Sequence, residues 1–194
     1  TDPAGAVHNG YRWRSRDLMT FLKISTQVTS NIRAIASVNY QDQYQPVYES
    51  LLSLNTPEET SWILDHDTLF AASGIINYRM DQNTFVDLSV GLAQRSKPLL
   101  LNVGGQNLPY YTDAESGLVW GSAPFNEKST GRRFKAAVSI TRVQHGIMGI
   151  GHELRAGAEY EDSNGDMMTW KDDNLAITYF AGNPYYYGTA LSPR

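Results

Sequence analysis

The chain has 194 residues, enough for one domain with a sizeable core. Its net charge of -4 argues against a general nucleic-acid binder, which needs a basic face. It has no cysteine, so disulfides and thiolate metal sites are excluded, and no segment approaches the roughly 18 consecutive apolar residues of a membrane helix. A membrane strand stays open, because it needs only about 9–11 residues with alternate ones apolar.

The first ten residues, TDPAGAVHNG, contain no charged-then-apolar export signal. Alternation begins in LMTFLKISTQV, where Leu18, Leu22, Ile24 and Val28 oppose Lys23, Ser25 and Gln27. The polar triplet TSN supplies a tight turn. NIRAIASVNYQ then sets Ile32, Ala34, Ala36, Val38 and Tyr40 against Arg33, Ser37, Asn39 and Gln41. This predicts a hairpin over about 18–41.

A long connection over about 42–66 follows, with Pro46, Pro57 and several aromatics. The second hairpin, about 68–95, sets Ile76, Tyr78 and Met80, then Val86, Leu88, Val90 and Leu92, against Asn77, Arg79, Asp87 and Ser89. A second long connection over about 96–131 is rich in Gly, Pro, Tyr and Asn. The third hairpin, about 132–161, sets Phe134, Ala136, Val138 and Ile140 against Lys135, Ser139 and Thr141. Its return arm sets Leu154, Ala156, Ala158 and Tyr160 against Glu153, Arg155, Glu159 and Glu161. The remainder, about 162–194, alternates only weakly, in NLAITYF.

Three hairpins with short turns at one end and long connections at the other match the asymmetry of outer-membrane barrels. A soluble antiparallel sandwich or barrel also alternates, and stays open at this point. Two details favour the membrane form. Full charges stand mid-strand on the polar faces, at Lys23, Arg33, Arg79, Asp87, Lys135 and Arg155, whereas the apolar faces are almost free of charge. Tyr40, Tyr78 and Tyr160 stand near the ends of the apolar stripes, where interfacial girdles occur, although ordinary strand propensity explains them equally well.

The chemistry is sparse. His8, His66, His145 and His152 show no zinc spacing, and nucleophile elbow, P-loop and dinucleotide fingerprints are missing, so no catalytic residue is expected. DSNGDMMTWKDD places Asp162, Asn164 and Asp166 at calcium-loop positions one, three and five, and Asp173 at position twelve. Met167 stands where such a loop needs glycine, so an acidic external loop competes with a calcium site. Calcium is the one candidate cofactor. Aromatics gather in the connections, and Trp62, Tyr110, Tyr111, Trp120 and Trp170 are the candidate ligand contacts, with packing of the loops on themselves as the alternative.

SWILDHDTLFAASGIINYRMDQNTFVDLSVGLAQRSKPLLL, YYTDAESGLVWGSAPFN and GIGHELRAGAEYEDSNGD resemble the barrel of TonB-dependent outer-membrane receptors. The resemblance points to the subset with a carboxypeptidase-regulatory-like N-terminal domain and runs from about Asp17 to Gly182; Gly149 to Glu161 is its most specific part. It implies an all-β, antiparallel up-and-down transmembrane barrel of about 22 strands around a plug. About six to eight strands are expected here, fewer than such a barrel needs, so the chain reads as an internal fragment. No plug, TonB-contacting segment or terminal aromatic residue is seen.

The resemblance implies ligand uptake across the cell outer membrane, with no covalent chemistry in the barrel. Arg33, Arg79, Asp87 and Arg155 are then lumen-facing. The implied partners are the lipid bilayer, the rest of the barrel and its plug, and a TonB-type energy-coupling protein acting through absent segments. A soluble β-sandwich carbohydrate-binding module and a structural or adhesive surface protein are the alternative functions.

Overall fold

The computed structural model describes residues 14–48, 62–102, 108–147, 150–171 and 175–188. The described residues form ten strands: β1 (Arg16–Thr29), β2 (Ile32–Tyr48), β3 (Trp62–Arg79), β4 (Thr84–Leu101), β5 (Tyr110–Asp113), β6 (Val119–Gly121), β7 (Asn126–Ile147), β8 (Ile150–Trp170), β9 (Ala176–Phe180) and β10 (Asn183–Gly188). Six of them make an antiparallel up-and-down sheet in the order β1-β2-β3-β4-β7-β8. The short strands make a second sheet, β10-β9-β5-β6, in which β5 pairs parallel with β9.

The alternating arms form the large sheet because a period of two places every second side chain on one face. Its short turns are held by local polar groups. Thr29 Oγ1 accepts from the backbone N–H of Asn31 and Ile32 at 3.3 and 3.1 Å, and Asp81 Oδ1 accepts from the N–H of Asn83 at 2.8 Å. Each of these turns is also bonded to the next arm: Arg79 N–H donates to Asn31 O and Val143 N–H donates to Asn83 O, both at 2.8 Å.

The arms run further than the alternation predicts. The expected connections 42–66 and 96–131 lose their flanks to β2, β3, β4 and β7, and the expected loop from residue 162 is strand as far as Trp170. Cross-strand hydrogen bonding continues beyond the apolar stripe into segments whose composition is that of turns.

A β-bulge in β3 between Leu64 and Thr68 inserts one extra residue, and His66 adopts a left-handed backbone there, with φ of 58°. The bulge reverses the alternation. From Thr68 onward even-numbered residues of β3 share the apolar face, but Leu64 and Trp62 are paired with Leu99 and Leu101 and so turn to the other one. There they form the small buried core with Ala123, and Phe125 packs against it.

Candidate functional site

The register sorts the large sheet into two faces. One carries rows such as Ile24–Ala36–Gly74–Val90–Ala136–Tyr160 and Thr26–Ala34–Ile76–Leu88–Val138–Ala158. These side chains are not tucked under a second layer: Val90 is 49% exposed and Ile76 43%. The stripe is bounded along the strands. On β7, Phe134 to Ile140 lie between Arg132 and Arg142 on this face. At about 3.4 Å per residue and a tilt of about 40°, that interval climbs roughly 26 Å, the height of the apolar band of an outer-membrane barrel. Tyr40 and Phe70 pair at one end of the band and Tyr78 stands at the other.

The opposite face carries rows such as Lys23–Ser37–Ser73–Gly91–Lys135–Glu161 and Gln27–Arg33–Asn77–Asp87–Ser139–Gly157. Arg33, Arg79, Asp87 and Arg155 all stand on this polar face. Asn77 donates to Asp87 at 2.6 Å, Arg33 donates to Ser25 Oγ at 3.1 and 3.2 Å, Arg79 to Asn31 Oδ1 at 3.1 Å, and Arg155 to Ser139 Oγ at 3.5 Å. Nearer the outer end, by which we mean the end away from the short turns, cations meet carboxylates. Arg95 grips Asp67 in a two-point bond at 2.9 and 2.6 Å, Arg133 reaches Glu161 at 2.6 Å and Lys135 reaches Glu159 at 2.8 Å.

Beyond that end lies the small sheet. Tyr111 and Trp120 face each other across β5 and β6 with ring centroids 5.5 Å apart and planes 12° apart. Tyr179 of β9 closes on both, at 6.3 Å from Tyr111 and 5.3 Å from Trp120. Two candidate ligand contacts are therefore joined by a third ring, Tyr179, that sequence reasoning missed. The signal was NLAITYF, where alternation was visible but the pairing of β9 with β5 was not.

The other aromatic candidates separate from this cluster. Tyr110, next to Tyr111 on an extended strand, points to the opposite side of the small sheet, and burial raises its phenol above the ordinary range. Trp170 is half-buried at the end of β8, opposite Asn126. Trp62 is corrected outright: it is 2% exposed, its indole N–H donates to Phe125 O at 2.7 Å, and it has no face left for a ligand. Aromatic character in a connection does not distinguish an open platform from the core of that connection.

The calcium-like loop is also corrected. Asp162, Asn164 and Asp166 lie on β8, paired with Phe134, Arg132 and Thr130. On a strand, alternate side chains share a face but step about 6.8 Å at a time, so their oxygens cannot gather on one ion. Asp173 lies outside the described residues. Among the described residues no cluster of three or more His, Asp or Glu is placed to hold a metal.

At the bulge, His66 Nδ1 lies 2.9 Å from both carboxylate oxygens of Asp42, and its ring centroid is 5.6 Å from that of Tyr44. Lys171 is buried, donating to Ser122 Oγ at 2.5 Å and Ala123 O at 3.3 Å, and so ties the end of β8 to the segment before β7. In the turn of β5 to β6, Ser116 Oγ–H donates to Asp113 at 2.6 Å and the Glu115 N–H donates at 3.1 Å. These bonds lower the Asp113 carboxyl below its ordinary range.

No family model and no curated protein matches this sequence. The fold matches part of a solved structure, the outer membrane transporter YddB from Escherichia coli, with a TM-score of 0.64 and 11% identity. The match covers 95% of this chain and 24% of that one, so the chain spans about a quarter of the transporter's length. The chain is an all-β, antiparallel up-and-down sheet that matches a section of an outer membrane transporter barrel.

Proposed function

We propose that this chain is a section of the wall of an outer-membrane uptake barrel. The apolar rows meet hydrocarbon and the polar face, with Arg33, Arg79, Asp87 and Arg155, lines the lumen. Short turns then lie on the inner side of the membrane and the small sheet projects outward. The one observation that carries this reading is the apolar face itself. It spans six strands, stays exposed, and on β7 is limited by Arg132 and Arg142 to a band of membrane height. A soluble sandwich would cover those rows with a second sheet.

In this reading the remaining strands of the barrel satisfy the open edges of β1 and β8, since an unpaired backbone edge is not tolerated in lipid. Tyr111, Trp120 and Tyr179 form the part of the outer sheet best suited to touch a ligand, with rigid apolar area at low entropic cost. The resemblance of the hairpin sequences to TonB-dependent receptors supports energised uptake, driven through a plug and a TonB-type partner that act by segments other than this one. The wall itself does no bond-making chemistry.

The chain has no cysteine, so a single introduced thiol is unique within it. Ser89 and Val90 are neighbours on opposite faces. In the full polypeptide reconstituted into lipid, a fluorophore on Val90→Cys should be quenched by brominated lipid and one on Ser89→Cys should not. Equal quenching of both, or protection of Val90→Cys from brominated lipid, defeats the proposal.

A further inference from the structure

The cations of the polar face are sorted along the strands. In the outer half Arg95, Arg133 and Lys135 each have a carboxylate within 2.6–2.9 Å. In the half next to the short turns, Arg33, Arg79 and Arg155 bond only neutral oxygens, those of Ser25, Asn31 and Ser139. Among the described residues none of these three has a carboxylate within 4 Å. Asp87, between them in the register, accepts from Asn77 at 2.6 Å instead, and Glu153, two residues from Arg155 on the same face of β8, makes no ion pair among the described residues. Asp81, in the turn between β3 and β4, is held by the Asn83 N–H and feels Arg142 of the apolar face. Lys23, on the edge strand, lies in the row of Lys135 and so in the outer half, and it is an exception: among the described residues it makes no ion pair.

Arg33 and Arg79 are diagonal neighbours, because Arg33 pairs with Asn77 and Arg79 lies two residues on. They share a cavity of about 440 Å3 with Gln27, Asn77, Thr141 and the carboxylate of Asp87, which opposes an anion there. Like charges on adjacent strands repel, and each guanidinium keeps N–H donors beyond those it has used on Ser25 or Asn31. A planar oxyanion between them would relieve the repulsion and accept those donors, a geometry for which arginine is suited better than lysine. In a lumen walled by low-dielectric material the attraction is focused rather than screened.

We propose that the short-turn half of the polar face is a binding site for a carboxylate-bearing group, centred on Arg33 and Arg79 and extended by Arg155. The proposal rests on the lumen reading for its biological setting but not for its chemistry. The carboxylate has two sources, a free anionic cargo or an acidic side chain of polypeptide held inside the barrel.

The test titrates citrate into the full polypeptide in detergent at low ionic strength, followed by calorimetry. The double variant R33Q/R79Q should weaken binding by about tenfold or more. R133Q removes the same kind of charge at a cation that already has its partner, and should change little. D87N keeps an acceptor for Asn77 but removes the opposing charge, and should tighten citrate several-fold. Where the interior polypeptide supplies the carboxylate, citrate does not bind the wild type, and R33Q/R79Q, but not R133Q, makes that interior segment more sensitive to protease. Either pattern supports the site and names its source. Citrate binding unaffected by R33Q/R79Q, or no citrate binding together with unchanged proteolysis, overturns it. The arginines share one face whatever solvent meets the other, so a failure of the fluorophore experiment on Val90 leaves this result independently readable.

Discussion

The indole N–H of Trp62 donates to the backbone carbonyl of Phe125 at 2.7 Å, joining the first residue of β3 to the segment that leads into β7. Around this bond Leu64, Leu99, Leu101 and Ala123 make the buried core of the outer end. Trp62→Ala should cost about 3–5 kcal/mol locally, and Trp62→Phe about 1–2 kcal/mol, since it keeps much of the volume and loses the bond. Limited proteolysis of the 102–125 segment measures this, with cleavage rising in the order wild type, Phe, Ala. An unchanged rate in Trp62→Ala contradicts the assignment of this residue to the core.

Ala181 and Gly182 make the two-residue turn between β9 and β10, both with positive φ, at 49° and 76°. Glycine adopts this conformation freely, whereas alanine pays about 1 kcal/mol. Ala181→Gly or Ala181→Asn should therefore stabilise the β9–β10 hairpin by up to about 1 kcal/mol, and Ala181→Val should destabilise it. Amide hydrogen exchange at Thr178 and Tyr186, which oppose each other, reports the change.

Asp113 holds the β5–β6 turn through Ser116 and the Glu115 N–H. Its carboxyl is depressed in the fold, so its contribution is present above the ordinary carboxylate pKa of about 4 and is lost as pH falls through the lower folded value. Acidification below about pH 4 should loosen this turn in the wild type and leave Asp113→Asn unchanged over the same range. The chemical shifts of the Glu115 and Ser116 amides, followed against pH, distinguish the two.

The pair Asp67–Arg95 pins the strand just beside the bulge, and the Asp67 side chain is only 8% exposed. Asp67→Ala should destabilise this end by about 1–3 kcal/mol, because it removes a two-point charged bond at a sheltered site. Thermal unfolding in detergent should show the loss. Adding millimolar calcium should leave the same midpoint unmoved in the wild type, since Asp162, Asn164 and Asp166 are spread along β8.

The apolar and polar faces of the hairpins were legible because strand alternation depends only on the chain's own period. Val86 to Leu92 against Asp87 and Ser89 needs no partner strand to be read. Alternation cannot be carried past an irregularity. One extra residue at His66 turns Trp62 and Leu64 to the opposite face, and nothing in DHD announces it. Asp162 to Asp166 has the composition of a turn, yet it is held extended by Phe134, Arg132 and Thr130 on β7. Here the ladder to a neighbouring strand overrides local preference.

Strand periodicity shows without any structure that six long arms alternate, that one of their faces is almost free of charge, and that short turns fall at one end. The meeting of Tyr179 with Tyr111 and Trp120 comes from the assembled small sheet, since that contact needs β9 to pair parallel with a strand far away in the chain. Strand pairing likewise sets which cations have carboxylates: Arg133 finds Glu161 across β7 and β8, while Arg33 and Arg79 find only neutral oxygens. Periodicity is a property of one strand, whereas register, bulges and charge pairing are properties of two, and only the assembled sheet sets them.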